Sequence, residues 1–318
     1  MDSNDGDATK RGEASLIDLV IPVYNGAELL KTREQELLEL AEKNSDLRIY
    51  IVDDGSEDEF TVASKMLVNH SRISVVCLSE NKGRAVARNS GASAGAAPFI
   101  CFVDVDCELC PDWLCELRNA IKMGNQLVFG RVECKGSNFW SRYVNDVYRS
   151  RESCFDGGVS SLSSQIFMVR RDHYEKCGGF FEGYRYYGFE DRDFFNLLVV
   201  GEELRPVLSR ALVVWHEPEV GPSAICGKMY IGGKHSAALY ADRFPVSYRQ
   251  SKYWYFDFRH HGRLYVVCLF LLTFLYDPLL KLPDGFYGSK LIPYSFKKPV
   301  AKLLFALAFA RGTRDSSS

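Results

Sequence analysis

Four short, almost uninterrupted apolar runs, each halted by a polar or glycine-bearing turn, constrain this chain more than any other feature. Ile17 to Val23 is apolar apart from Asp18 and stops at Tyr24-Asn25-Gly26. Leu47 to Val52 runs into Asp53-Asp54-Gly55-Ser56, Ile73 to Leu78 into a polar stretch, and Phe99 to Val103 into Asp104-Val105-Asp106. Such runs read as strands buried on both faces. Helical stretches fall between them: about Ala27 to Lys43, one started by Ser56 and the acids after it, and the Ala-rich Arg84 to Ala94. The alternation predicts an α/β chain, Rossmann-like, with a mostly parallel sheet and helices on both faces. In such sheets ligands sit outside the carboxyl ends of the strands.

The 318 residues are 47% apolar and 25% charged, the composition of a soluble globular protein with one large domain or two small ones. No apolar run reaches about 18 residues, which argues against a multi-span membrane protein. Collagen-like and disordered classes fail on composition. Ten scattered cysteines and no recognisable leader favour a reducing compartment. Residues 1–15 have little to bury and are expected to be disordered. The net charge of −2 conceals a division: residues 1–222 carry 25 Lys/Arg against 36 Asp/Glu, and residues 223–318 carry 14 against 5. A catalytic region, 16–222, is therefore expected to join a basic extension, 223–318, that meets an anionic partner.

Chemistry-bearing residues collect at the strand ends. Asp104 and Asp106, two apart in an extended segment, point to one side and could hold Mn²⁺ or Mg²⁺ against a diphosphate. A solvated acidic turn is the plain alternative. Glu190-Asp191 opens a helix-like stretch after the Gly-bearing segment Gly183 to Gly188, and His216 follows the apolar run Ala211 to Trp215. A helix start favoured by acids is the plain alternative for the first, and a structural histidine for the second. Cys107, Cys110 and Cys115 lack a second pair at zinc spacing and read as reduced thiols. The Ser- and Gly-rich stretch from Arg149 to Ser164 separates two blocks.

The ordered set LVIPVYNG (Leu19 to Gly26), IVDDGS (Ile51 to Ser56), ENKGRAVARNSG (Glu80 to Gly91), FVDVD (Phe102 to Asp106), GGF (Gly178 to Phe180) and YGFEDRDFF (Tyr187 to Phe195) resembles glycosyltransferase family two of the GT-A fold. The likeness covers about residues 16–220. It implies an inverting, metal-dependent hexosyl- or N-acetylhexosaminyltransferase with a nucleotide-sugar donor, usually a UDP-sugar. By the same resemblance Pro22 and Tyr24 line the base, Asp53 or Asp54 reads uracil or ribose, and Arg84, with Lys82 or Arg88, faces the nucleotide together with Val105. Asp104 touches ribose or metal, Asp106 is the principal metal ligand, and His216 completes the site. Asp191 takes the place of the general base, while Gly188 and Glu190 lie against acceptor or donor sugar.

The extension beyond residue 222 is not covered by these motifs. It holds 19 of the 42 aromatic residues. Leu264 to Tyr276, thirteen residues, is too short to span a bilayer and suits a core or interfacial helix. Leu303 to Ala310 is apolar all round between Lys297, Lys298, Lys302 and Arg311. Cationic ends beside apolar stretches predict a helical extension at an anionic membrane surface, on the cytoplasmic face, with a lipid-linked or growing cell-surface glycan as acceptor. A cap on the catalytic domain and an oligomer interface are the other readings of the extension, and nucleic acid ranks last. For the whole chain, a non-catalytic sugar-nucleotide binder or a structural membrane-associated protein is the alternative.

Overall fold

A computed structural model describes residues 16–153, 155, 158–216, 221–282 and 284–316. The expected disordered start, residues 1–15, lies outside them. The first half matches the apolar runs closely. Strands β1 (Ile17–Val23), β2 (Leu47–Asp53), β3 (Ile73–Cys77) and β4 (Phe99–Val103) form a parallel half-sheet in the order β3-β2-β1-β4. Register brings their carboxyl ends level, with Val23 opposite Asp53 and Val20 opposite Phe102. Strand alternation then divides β1 between two cores. Leu19, Ile21 and Val23 pack on the side of helices α1 (Ala27–Lys43) and α4 (Trp113–Lys122), and Val20 packs on the other side with Ala85, Ala87 and Ala92.

Asp18, the interruption in the first run, has a structural reason. It is wholly buried, and its Oδ2 accepts from the Ala97 amide at 2.8 Å and from Arg171 Nη2 at 2.7 Å. Arg171 also donates to the Ala92 and Ala97 carbonyls, so one ion pair ties β1 to the turn before β4. The helix expected to begin at Ser56 starts later and is a single turn, α2 (Phe60–Ala63). Ser56 instead accepts from the Asn25 amide at 2.9 Å, while Asn25 Oδ1 accepts from the Glu57 amide, which locks the turns after β1 and β2 together. Helix α3 (Arg84–Ala94) falls where expected.

Beyond β4 the sheet becomes mixed rather than continuing parallel. Strands β5 (Cys107–Leu109), β6 (Leu127–Glu133), β7 (Ile166–Arg170) and β8 (Val207–His216) extend it in the order β4-β7-β6-β8-β5. Only β6 and β8 run parallel in this half. Helix α5 (Phe139–Ser153) occupies the start of the stretch taken as a divider. Helices α6 (Arg171–Lys176) and α7 (Glu190–Asn196) complete this half.

The region after residue 222 is helical, as expected: α8 (Pro222–Ile231), α9 (Ala237–Arg243), α10 (Pro245–Gln250), α11 (Arg263–Thr273), α12 (Tyr276–Leu280), α13 (Asp284–Gly288) and α14 (Tyr294–Asp315), with a π-helical turn at Gly232–Ser236. It is not a separate body. Trp140 and Tyr143 of α5 share a core with Leu304, Phe305 and Ala308, and Tyr184 and Phe189 share another with Tyr240, Tyr248 and Phe309. Leu303 to Ala310 is therefore not an insertion segment: Leu304, Leu307 and Ala310 have no solvent exposure. The crossing of α8 and α14 is so close that a Cβ on Gly312 would run into the Tyr230 carbonyl oxygen.

Polar bonds brace α7 from the same side. Arg243 Nε and Nη2 donate to the fully buried Asp193 at 2.5 and 3.1 Å, Tyr184 donates to it at 3.0 Å, and Ser247 donates to Asn196 at 2.8 Å. Arg243→Ala leaves the buried Asp193 with the Tyr184 hydroxyl but without its cation, which is expected to cost about 3 to 5 kcal/mol. The loss should appear as a lower urea midpoint, whereas Lys43→Ala, at the exposed pair with Glu39, should leave the midpoint unmoved. Equal shifts for the two variants would remove the brace.

Candidate active site

The level strand ends open onto a cleft of about 570 Å³. Of the expected residues, Pro22, Tyr24, Asp54, Arg84, Asp104, Val105 and Asp106 line it. Asn81, Arg185, Tyr186, Tyr187, Lys228 and Ile231 line it as well.

Asp106 and His216 meet because β8 pairs antiparallel with β5, placing His216 opposite Cys107. Their Oδ2 and Nε2 atoms are 3.2 Å apart. Burial alone would disfavour the imidazolium, but Asp106 and Cys134 outweigh it and push His216 up to about 10. Burial likewise penalises the Asp106 carboxylate, yet His216 and Arg84 hold it below its ordinary value. One carboxylate and one imidazole suit a divalent cation that takes its remaining donors from water and phosphate oxygens. The three-residue ligand set expected from the sequence is not assembled, and no cluster of three or more His, Cys, Asp or Glu poised to hold a metal occurs among the described residues. Asp104 is engaged elsewhere: its Oδ1 accepts from Arg88 Nη2 at 2.9 Å.

Arg88 corrects a second expectation. It does not face the nucleotide but is completely buried on α3, with Cζ 5.2 Å from the Phe180 ring centre. While Nη2 binds Asp104, Nη1 lies 3.5 Å from Glu190 Oε1. One guanidinium thus couples the acid after β4 to the acid that opens α7. Burial and the neighbouring Asp191 push the Glu190 carboxyl above its ordinary range, against the pull of Arg88 and Arg84. Glu190 Oε2, also buried, has no hydrogen-bond partner among the described residues.

Asp191 is partly exposed beside Glu190, and its Oδ1 accepts from the Arg192 amide at 2.8 Å. It is not among the residues lining the cleft. The approach to α7 is unusual: Gly188 has φ +100°, and Phe189, a buried residue with a Cβ, has φ +71°. Strain of this kind persists only where surrounding packing imposes it, here the ring contacts of Phe189 with Tyr240 and Tyr253.

Two further residues sit differently from expectation. Asp53 is outside the cleft lining and accepts from the Ser56 amide at 3.0 Å, stabilising its own turn. Asp54 lies in the cleft wall, but its oxygens accept from the Lys82 and Gly83 amides at 2.8 and 3.0 Å, so it positions the start of α3. Lys82 is exposed and does not line the cleft. The nine cysteines among the described residues are all free, Cys107, Cys110 and Cys115 included.

The most consequential residue that sequence reasoning missed is Lys228. The Tyr187 ring has Arg84 Cζ at 5.1 Å and Lys228 Nζ at 5.7 Å from its centre, so a cation from α3 and another from α8 flank one aromatic wall. Tyr187 carried a signal, since it belongs to the same motif as Glu190 and Asp191. Lys228 carried none, because only folding brings α8 to the strand ends.

Comparison with known proteins bears on the fold and the family. Glycosyltransferase AglE of Haloferax volcanii is 28% identical over 170 residues, 52% of this chain and 55% of its own. The poly(ribitol-phosphate) beta-N-acetylglucosaminyltransferase TarP of Staphylococcus aureus is 29% identical over 164 residues, half of each chain. The chain thus spans about half the length of these curated relatives. A solved structure of the mannosyltransferase PcManGT from Pyrobaculum calidifontis, in complex with GDP-Man and Mn²⁺, superposes with a TM-score of 0.59 at 16% identity. It covers 94% of this chain and 87% of that one, which makes the fold GT-A. The family profile described as Glycosyl transferase family 2 matches residues 18–178, the segment that supplies β1 to β7 and the strand-end acids, and the chain belongs to that family.

Proposed function

We propose that this protein transfers a sugar from a nucleoside diphosphate donor, a UDP-sugar by the family resemblance, to an acceptor hydroxyl with inversion at the anomeric carbon. The reading rests on one observation: the Asp106–His216 pair, the cations Arg84 and Lys228, and the Arg88-held acids Asp104 and Glu190 converge at the strand ends of a GT-A fold. A divalent cation, Mn²⁺ or Mg²⁺, bound at Asp106 and His216 would neutralise the diphosphate as it departs.

The chain's own groups do the rest. Pro22 and Tyr24, at the end of β1, offer a surface for the base. Arg84 and Lys228 face the diphosphate from two elements and stabilise its growing charge. Glu190, held by Arg88 at the start of α7 beside Asp191, lies by the family resemblance against acceptor or donor sugar. Asp191 removes the proton of the acceptor hydroxyl as that oxygen attacks C1 and the bond from C1 to the phosphate oxygen breaks. A single displacement of this kind inverts C1.

Turnover with a panel of nucleotide sugars and Mn²⁺ tests the reading directly, and a chain that binds donor without turnover would overturn it. Asp191→Asn should lower transfer by about 10² to 10⁴-fold with donor affinity unchanged; preserved turnover removes Asp191 as the base. Asp106→Ala should weaken donor binding by about tenfold or more in Mn²⁺ titration calorimetry but not in chelator. Equal affinities with and without the cation would remove the metal assignment. Lys228→Gln should raise the donor dissociation constant and spare affinity for the free nucleoside, whereas a uniform loss for both ligands would place Lys228 away from the diphosphate.

A further inference from the structure

Among the described residues one helical segment, Arg263–Leu280, is long and apolar enough to suit a lipid phase, with mean hydropathy 1.7 over 18 residues. This exceeds the thirteen-residue stretch visible in the sequence. Only 11% of it is buried. A helix apolar around its circumference normally lies within a protein core or in lipid. Here only Leu269 and Thr273 of α11 are fully packed, and α11 and α12 both rest on α14. The opposite side carries Leu264, Val267, Leu271 and Phe274, which are 80, 53, 60 and 63% exposed. Their spacing of three, four and three residues aligns them as one ridge.

We propose that this ridge docks the protein onto a bilayer bearing anionic headgroups, with the helix lying in the interface rather than crossing it. The charge pattern selects that occupant. Exposed Arg263 opens the segment and exposed Lys281 directly follows it, so a cation stands at each end. The region from 223 onward carries 14 cations against 5 acids. A second copy laid on the ridge would set Arg263 or Lys281 against the same cations of its partner in either orientation, whereas anionic headgroups meet both ends favourably. The packing selects the in-plane orientation. The segment breaks at Phe274-Leu275, contains Pro278 within α12, and is bound to α14 through Asp277, whose Oδ1 accepts from Arg311 Nη1 at 2.9 Å. Since Leu304, Leu307 and Ala310 of α14 are buried in the body, the segment is held along its length against the protein. Partial insertion of the ridge side chains satisfies both constraints.

The proposal is independent of sugar transfer, and its test needs no substrate. The full chain is floated with vesicles of phosphatidylcholine, with and without phosphatidylglycerol, alongside Leu271→Glu/Phe274→Glu and Arg263→Glu/Lys281→Glu. Thermal melts and light scattering accompany each protein. The wild type should float with the anionic vesicles, the ridge variant should lose binding by roughly tenfold, and the charge variant should lose the preference for anionic lipid. All three should melt alike, because the changed positions are exposed. A wild type that does not float, or a ridge variant that floats equally well, overturns the proposal. So does a wild-type dimer that the ridge variant dissociates, which would make a second copy the occupant. If the ridge variant melts early, Leu264→Glu alone replaces it, with the same outcomes read.

Discussion

The geometry of the cleft depends on one guanidinium that solvent never reaches. Arg88 is fixed by α3, which packs on the core side of β1 and β2, and it faces Asp104 with one nitrogen and Glu190 with another. A buried cation is tolerated only with its charge answered, and the planar fork of arginine can answer two carboxylates from different elements. The strand-end acids and the start of α7 therefore keep a set separation. Asp104 being held, the chain turns at Val105 and delivers Asp106 to His216. Lysine, with a single nitrogen, would not hold two acids in this way.

The other determinant of that separation is the helical region after residue 222. It contributes half of two hydrophobic cores, the cation for Asp193 and a hydroxyl for Asn196. Helix α7 is clamped between Arg88 at its first residue and Arg243 one turn later. The sheet-borne acids and the helix-borne acids are thus held by different parts of the chain. The imposed backbone of Phe189 lies where those two supports meet.

The apolar runs announced β1 to β4 nearly to the residue: β1, β2 and β4 are buried on both faces and leave few polar positions to blur the pattern, and the edge strand β3 is still carried by its β-branched residues. Helices α1 and α3 were equally legible. The mixed half of the sheet was not, although β6 and β7 are nearly as buried as β1: the direction of its strands is decided by pairings among residues far apart in sequence. In the site, the meeting of Asp106 with His216 followed from strand-end logic and family resemblance together. Motif letters could not show that Arg88 looks inward, or that Asp53 is occupied by an amide of its own turn and Asp54 by amides of the loop before α3. Nor could composition separate Leu303 to Ala310 from Leu264 to Tyr276. Both are apolar between cations, yet folding hides one and leaves the other bare.

The presence of Lys228 and Ile231 in the cleft wall has a bearing on how such chains diversify. The family motifs end before residue 222, and the sequence beyond them looks like an appendage free to be exchanged. Yet α8 forms part of the pocket, and the close crossing at Gly312 joins it to α14, on which the helix bearing the apolar ridge rests. Shuffling the carboxyl-terminal third between homologues would alter the cleft wall and the apolar ridge together. Cleft wall and ridge are consequently one structural unit, and a change in either is felt by the other.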